Sequence, residues 1–227
     1  MASEAVAVVL DDVLYPLATY REGACRIGAR LIQRYCGLDI ADGLNDYYVP
    51  GEEDLAVRAA LEEQLQQVDE RWIAKAASAM AAYKPRVGPY SDAMEVFPLL
   101  QGMGVRLGLM GDGPPLAQRL VAKALHAETI FQYQVWLREL RGTNTWHEAL
   151  QLMELMLDCP LQELVVVCAH LQQAEALARL VGRCYCVLRP PYEADTPPPA
   201  NSEVLYIPMA NLYELPEALG WFTPSPP

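Results

Sequence analysis

The chain is short of positive charge. Its 227 residues hold 17 Lys and Arg against 29 Asp and Glu, a formal net charge of −12. General nucleic-acid binding needs a basic excess to neutralise phosphates, and none exists here. The same balance disfavours an anionic membrane surface. No lysine follows Lys123. Long apolar runs are also missing: nothing approaches the roughly 18 consecutive apolar residues of a membrane-spanning helix. The opening MASEAVAVVLDD has no basic region, apolar stretch and small-residue cleavage site in succession, so no signal peptide is expected. The six cysteines (Cys25, Cys36, Cys159, Cys168, Cys184 and Cys186) follow no framework spacing. They are expected to be buried free thiols in a cytoplasmic protein. Cys184 and Cys186 would share one strand face but lack a second ligand pair, so no metal site is expected there.

What the chain does have is apolar content. At 52% hydrophobic it can bury the core of one domain with an insertion, or of two small domains. The same figure argues against disorder. Residues 5–10, AVAVVL, form a short continuous apolar run, as in a strand buried on both faces. Helical spacing follows from Ala18 to about Cys36, with Ala24, Ile27, Leu31, Ile32 and Tyr35 near one face. GLDIADGLNDYYVPG reads as a break, and Glu52 to Tyr83 as two helices stopped by Pro85 and Gly88-Pro89. SDAMEVFPLLQGMG then predicts a helix opening on a Ser or Asp cap.

From VRLGLMGDGPP onward, strands and helices alternate. The strands are VRLGLMG, IFQYQVWL, ELVVVCAH, CYCVLRP and EVLYIP; between and after them lie helical AQRLVAKALHA, WHEALQLMELML, QQAEALARLVG and NLYELPEAL. Such alternation implies parallel pairing with helices on both sheet faces. RPPYEADTPPPANSE reads as an exposed Pro-rich loop. The expected architecture is α/β: a Rossmann-like doubly wound parallel sheet built from 1–16 and 91–227, with an inserted α-helical cap at 17–90. An insertion after the first strand lies over the carboxyl end of the sheet, where ligands of such folds bind.

Three segments carry a family resemblance. VVLDDVLYP resembles the opening motif of the haloacid dehalogenase superfamily, typically Phe-Asp-Leu-Asp-Asp-Thr-Leu-Tyr-Pro. LGLMGDGPP is similar to its second motif and ELVVVCAHLQQAEALARLVG to its fourth, and the helical insert sits where the family's cap does. The resemblance implies displacement at phosphorus or carbon by an aspartate, through a covalent intermediate, with Mg2+ assisting the phosphatases. It requires a nucleophilic Asp, an acid/base Asp two residues later, a Thr or Ser and a Lys for the phosphate, and carboxylates for the metal.

Placed on this sequence, those requirements fail in all four motifs. Alignment on Leu14-Tyr15-Pro16 puts the nucleophile at Val9 and the acid/base group at Asp11. Asp12 then matches an aspartate without a catalytic role in many relatives, and Val13 replaces the usual Thr. A slipped register that made Asp11 the nucleophile would leave Val13 as its proton-transfer partner. The phosphate-binding hydroxyl falls on Gly111 and the lysine near Leu140. Arg138 and Arg141 are the neighbouring cations, and an arginine replaces a point-charge lysine poorly. In the fourth motif, the carboxylates fall on Ala169, within Cys168-Ala169-His170, and on Ala174. A lone Asp11 would hold Mg2+ poorly, since hard cations need several oxygen ligands. Losing a nucleophile alone costs on the order of six decades of rate.

The expectation is therefore a non-catalytic member of that superfamily, a pseudoenzyme, with no cofactor and with a protein partner. Asp11, Asp112 and His170 are the candidates for binding in the cleft between cap and core. The alternatives are a hydrolase with altered, metal-independent chemistry using Asp11, and a small-molecule sensor. Cys168 and His170 could form a nucleophile pair, but a buried thiol beside a polar loop-entry residue is the favoured reading. Asp112 in GDGPP is expected to cap the following helix, with proline in its first turn. Tyr133, Trp136, Trp146 and His147 are expected to serve packing more than ligand anchoring. The acidic stretch 51–70 is expected to be a solvated face.

Overall fold

The computed structural model describes residues 5–140, 145–189 and 206–220. They form two compact units. One comprises Met1–Pro16, Gly88–Asp112 and His126–Pro227, the other Leu17–Val87 with Gly113–Leu125. No helix among the described residues is long and apolar enough to cross a membrane.

The first unit is built on six parallel strands: β1 (Ala5–Val9), β2 (Arg106–Gly111), β3 (Tyr133–Trp136), β4 (Val165–Cys168), β5 (Arg183–Val187) and β6 (Ile207–Met209). Their order across the sheet is β3-β2-β1-β4-β5-β6. This is the α/β, doubly wound architecture that the strand–helix alternation predicts, with the order reversing between β1 and β4. β3 and β4 are shorter than their apolar runs. Phe131 is buried ahead of β3, and Leu164 ahead of β4, in loop rather than strand.

Alternation explains why valine fills β1. Ala5, Ala7 and Val9 join one core cluster with Ala149, Leu150 and Met153 of α7 (Thr145–Leu157) and Ala174 and Leu177 of α8 (Leu171–Ala178). Val6 and Val8, of opposite parity, are as fully buried. A strand covered on both faces has no polar side to alternate with. The other face is covered by α5 (Ser91–Gly102) and α9 (Leu215–Ala218); Tyr185 donates its hydroxyl hydrogen bond to the Ala218 carbonyl at 3.2 Å.

Helix α5 opens differently from expectation. Tyr90 holds the N-cap position without a side-chain bond, and Ser91 is already helical. Asp92 does accept from its neighbour's N–H, Ala93 at 2.8 Å, but its carboxylate is chiefly engaged elsewhere, as described below.

The second unit is helical: α1 (Leu17–Cys36), α2 (Ala41–Tyr47), α3 (Glu53–Glu62), α4 (Glu70–Ala81) and α6 (Pro115–Ala124). The short α2 replaces the break expected at GLDIADGLNDYYVPG. Its Gly, Asp and Asn content reads as turn chemistry, yet burying Leu44 against the Cys25 side of α1 holds this short helix together. The Cys25 thiol lies 3.7 Å from the Leu44 carbonyl, and burial pushes it up to about 11. All six cysteines are free; five are buried, whereas Cys36 at the end of α1 is only half-buried.

Candidate functional site

The site lies at the carboxyl ends of β1, β2 and β4, beside the point where strand order reverses. β1 ends in a tight turn. Asp11 and Tyr15 form a backbone bridge, the Asp12 N–H donates to the Tyr15 carbonyl at 3.1 Å, and Asp12 takes φ 57°. Asp tolerates this left-handed conformation better than a branched residue would.

Each aspartate is engaged. The Tyr15 hydroxyl donates to Asp11 Oδ1 at 2.6 Å, and Asp11 is 5% exposed. Asp12 Oδ2 lies 3.1 Å from His170 Nε2, with both side chains largely buried. That bond is the main influence on His170; it outweighs burial, and the charges of Asp12, Asp11 and Asp112 add to it, so the imidazole is held above its ordinary value. Asp112 Oδ2 accepts from Gln173 Nε2 at 2.9 Å, and its backbone carbonyl accepts from Arg138 Nε at 2.9 Å.

The structure thus brings Asp11, Asp112 and His170 into one electrostatic group. It also supplies partners the sequence did not suggest, Tyr15 and Gln173. Asp112 does not cap the following helix. Helix α6 begins at Pro115 with Pro114 at its N-cap and no side-chain cap bond, because the two prolines set the helix start beyond Asp112's reach. Proline in the first turn is as expected.

Cys168 and His170 face different partners. The Cys168 Sγ lies 4.0 Å from Cys184 Sγ and 3.8 Å from the Tyr185 carbonyl. Its bonds to Cys184 and Cys186 come first, then burial, and together they hold the thiol well above its ordinary value. A thiol so placed is a poor nucleophile.

The positions where the resemblance implies catalytic groups carry core residues. Val9 and Ala174 are members of the apolar cluster and fully buried, Ala169 and Gly111 are buried, and Leu140 packs against the same cluster. Trp136 is buried and Trp146 packs on that cluster, whereas Tyr133 is exposed. Arg141 lies outside the described residues. A hard divalent cation needs six or more oxygen ligands. Among the described residues, no three His, Cys, Asp or Glu side chains are grouped to hold one, and Asp12 already faces an imidazole. The donor set does not fit Mg2+.

A second polar centre went unread in the sequence. Arg189, at the end of the apolar CYCVLR run, is 7% exposed instead of opening an exposed loop. The remainder of that Pro-rich stretch, 190–203, lies outside the described residues. Arg189 pairs with Asp92, donates to the Val13 carbonyl at 3.2 Å and lies 3.9 Å above the Tyr90 ring. The Tyr90 N–H donates to the Leu14 carbonyl at 2.8 Å. The centre therefore ties the turn after β1 to α5 and β5. An arginine closing an otherwise apolar strand was the available signal.

No family model matches this sequence, and no curated protein matches it. Solved structures do. A Thermotoga maritima protein described as a β-phosphoglucomutase superposes with a TM-score of 0.68 at 18% identity, covering 97% of this chain and 100% of its own. The L-2-haloacid dehalogenase of Xanthobacter autotrophicus with chloropropionic acid covalently bound gives 0.65 at 15%, covering 97% and 99%. CbbY of Rhodobacter sphaeroides in complex with phosphate gives 0.61 at 14%, covering 93% and 96%. The chain has the fold of the haloacid dehalogenases, and it has that fold over nearly its whole length. At these identities the likeness establishes fold and no activity.

Proposed function

We propose that this chain is a catalytically silent protein of the haloacid dehalogenase fold that acts by binding, as a scaffold or regulatory subunit for a protein partner. One observation carries the reading: at Val9 and Ala174, where the resemblance implies carboxylates, apolar side chains are built into the core. The carboxylates that remain are satisfied internally, Asp11 by the Tyr15 hydroxyl and Asp12 by His170. In this reading His170 is the partner that occupies Asp12 where a metal would otherwise compete for it. A nucleophilic carboxylate needs an open face and a proton-transfer partner. Asp11 instead has its hydroxyl-bonded oxygen in a nearly closed site.

The test is hydrolysis of p-nitrophenyl phosphate with Mg2+, and halide release from 2-chloropropionate, by purified protein beside its Asp11→Asn variant. Equal, background rates are expected from both. Turnover that follows the protein through purification and disappears in Asp11→Asn would overturn the reading.

A metal-independent chemistry is the second reading, favoured by the His170–Asp12 pair, whose bond holds the imidazole above its ordinary value beside Asp11. It would show as turnover that survives EDTA and is lost in both His170→Gln and Asp11→Asn.

A further inference from the structure

The helical unit concentrates positive charge in one place. A surface cavity of about 510 Å³ lies between α1 and the end of α4 with the residues that follow it; four of its nine lining residues, Arg26, Arg30, Lys84 and Arg86, are cationic and none is acidic. In a chain with 29 acids and 17 bases, that composition is inverted. A second cavity, of about 700 Å³, shares Arg26 and Arg30 and adds Arg21, alongside the acids Glu22 and Asp39. The two arginines therefore form a ridge between two hollows. Arg34 extends the row by one turn, so that 26, 30 and 34 stand at i, i+4 and i+8 of α1.

Like charges at this spacing oppose helix formation. Among the described residues Arg26, Arg30, Lys84 and Arg86 enter no ion pair, whereas Arg58 and Arg71 of the same unit are both paired. The second wall is fixed against the first. The Tyr83 hydroxyl lies against Gly23, where any Cβ would collide with it, and the ring packs on Tyr20 with centroids 5.6 Å apart. The same hydroxyl accepts the Arg86 N–H at 3.3 Å, so the chain carrying Lys84 and Arg86 is tied to α1.

We propose that this ridge docks an acidic polypeptide segment of a partner protein. The spacing selects the ligand. Four helical residues rise about 6 Å, and alternate side chains of an extended chain are about 6.6 Å apart. A strand with acids at every second position can therefore set successive carboxylates against Arg26, Arg30 and Arg34, with Lys84 and Arg86 on its flank. The whole row is about 12 Å long, which three such acids cover. Guanidinium forks hold carboxylates in pairs of hydrogen bonds. A nucleic-acid strand would run past the ridge onto a chain whose net charge is −12. The proposal does not depend on whether the first unit is catalytically silent.

The experiment is fluorescence anisotropy of the full chain with a fluorescein-labelled Glu-Ala-Glu-Ala-Glu-Ala-Glu peptide at low salt. The Glu peptide should bind at least tenfold tighter than its Gln counterpart. Arg26→Glu with Arg30→Glu should weaken it at least tenfold, with the unfolding midpoint unchanged. Arg179→Glu with Arg183→Glu, an equal change of net charge elsewhere, should leave it within twofold. Lys84→Ala with Arg86→Ala gives a second reading should the α1 variant unfold, and a loss of threefold or more is expected. Equal binding of the Gln peptide, indifference to both ridge variants, or tighter binding of tripolyphosphate or single-stranded RNA would overturn the proposal.

Discussion

Asp92 and Arg189 meet in a forked ion pair, Nη1 to Oδ2 at 2.8 Å and Nη2 to Oδ1 at 2.9 Å, across 97 positions of sequence. Asp92 also accepts the Leu212 N–H at 2.9 Å. Burial pushes the Asp92 carboxyl up, yet the Arg189 bonds and charge with the Leu212 and Ala93 amides outweigh it, and the carboxyl lies below its ordinary value. Four segments that approach the end of β1 are thereby joined at one charge pair.

Breaking that pair from one side strands a buried charge. Arg189→Met is expected to lower unfolding stability by about 3–5 kcal/mol. Adding Asp92→Asn, which keeps an acceptor for the Leu212 amide, should recover part of the loss. Urea midpoints of the two variants check this, and a double variant weaker than the single would contradict it. Because the folded carboxyl is depressed, its contribution is present above the unfolded value near ~3.9. It fades as pH falls through the lower folded value.

His170 makes a prediction of opposite sign. Its folded value is raised, so the stability it confers is complete below about 6.5. It is lost as pH rises through the raised folded value. With only three histidines in the chain, proton NMR can follow each ring. Asp12→Asn should move one titration to lower pH and leave the other two in place. Three unmoved titrations would show that Asp12 does not hold the imidazole.

Tyr15→Phe removes the donor of the 2.6 Å bond to Asp11. A buried carboxylate that loses a donor is expected to cost about 1–3 kcal/mol. Thermal unfolding measures it, and a change below about 0.5 kcal/mol, the range of a surface substitution, would mean that the hydroxyl is dispensable.

Gly182 sits where any Cβ would collide with the Gln162 carbonyl, while its own N–H donates to the Leu161 carbonyl at 2.9 Å. Backbone cannot swing aside as a long side chain can. Gly182→Ala should therefore destabilise by about 1–3 kcal/mol, as overpacking does. Gly102→Ala, with open space at its Cβ, is the comparison and should lose nothing.

The periodicities of the chain determined its architecture. Valine-rich runs that cannot be half-exposed, alternating with amphipathic helices, leave a parallel sheet covered on both faces as the natural solution. The acidic turn after β1 was legible too, because AVAVVL ends abruptly at Asp11 and Asp12. Single elements failed where local chemistry and tertiary burial disagree. GLDIADGLNDYY has the residues of a loop, and α2 forms because Leu44 finds a place beside α1.

The partners of the charged residues were decided only by the tertiary structure. Nothing in LYP says that the tyrosine hydroxyl turns back onto Asp11, and nothing near Asp92 points to an arginine 97 residues away. Burial makes those pairings obligatory, since a charge removed from water must find its complement. Which complement it finds depends on where the sheet carries each strand end, a property of three-dimensional order that no local stretch of the chain contains.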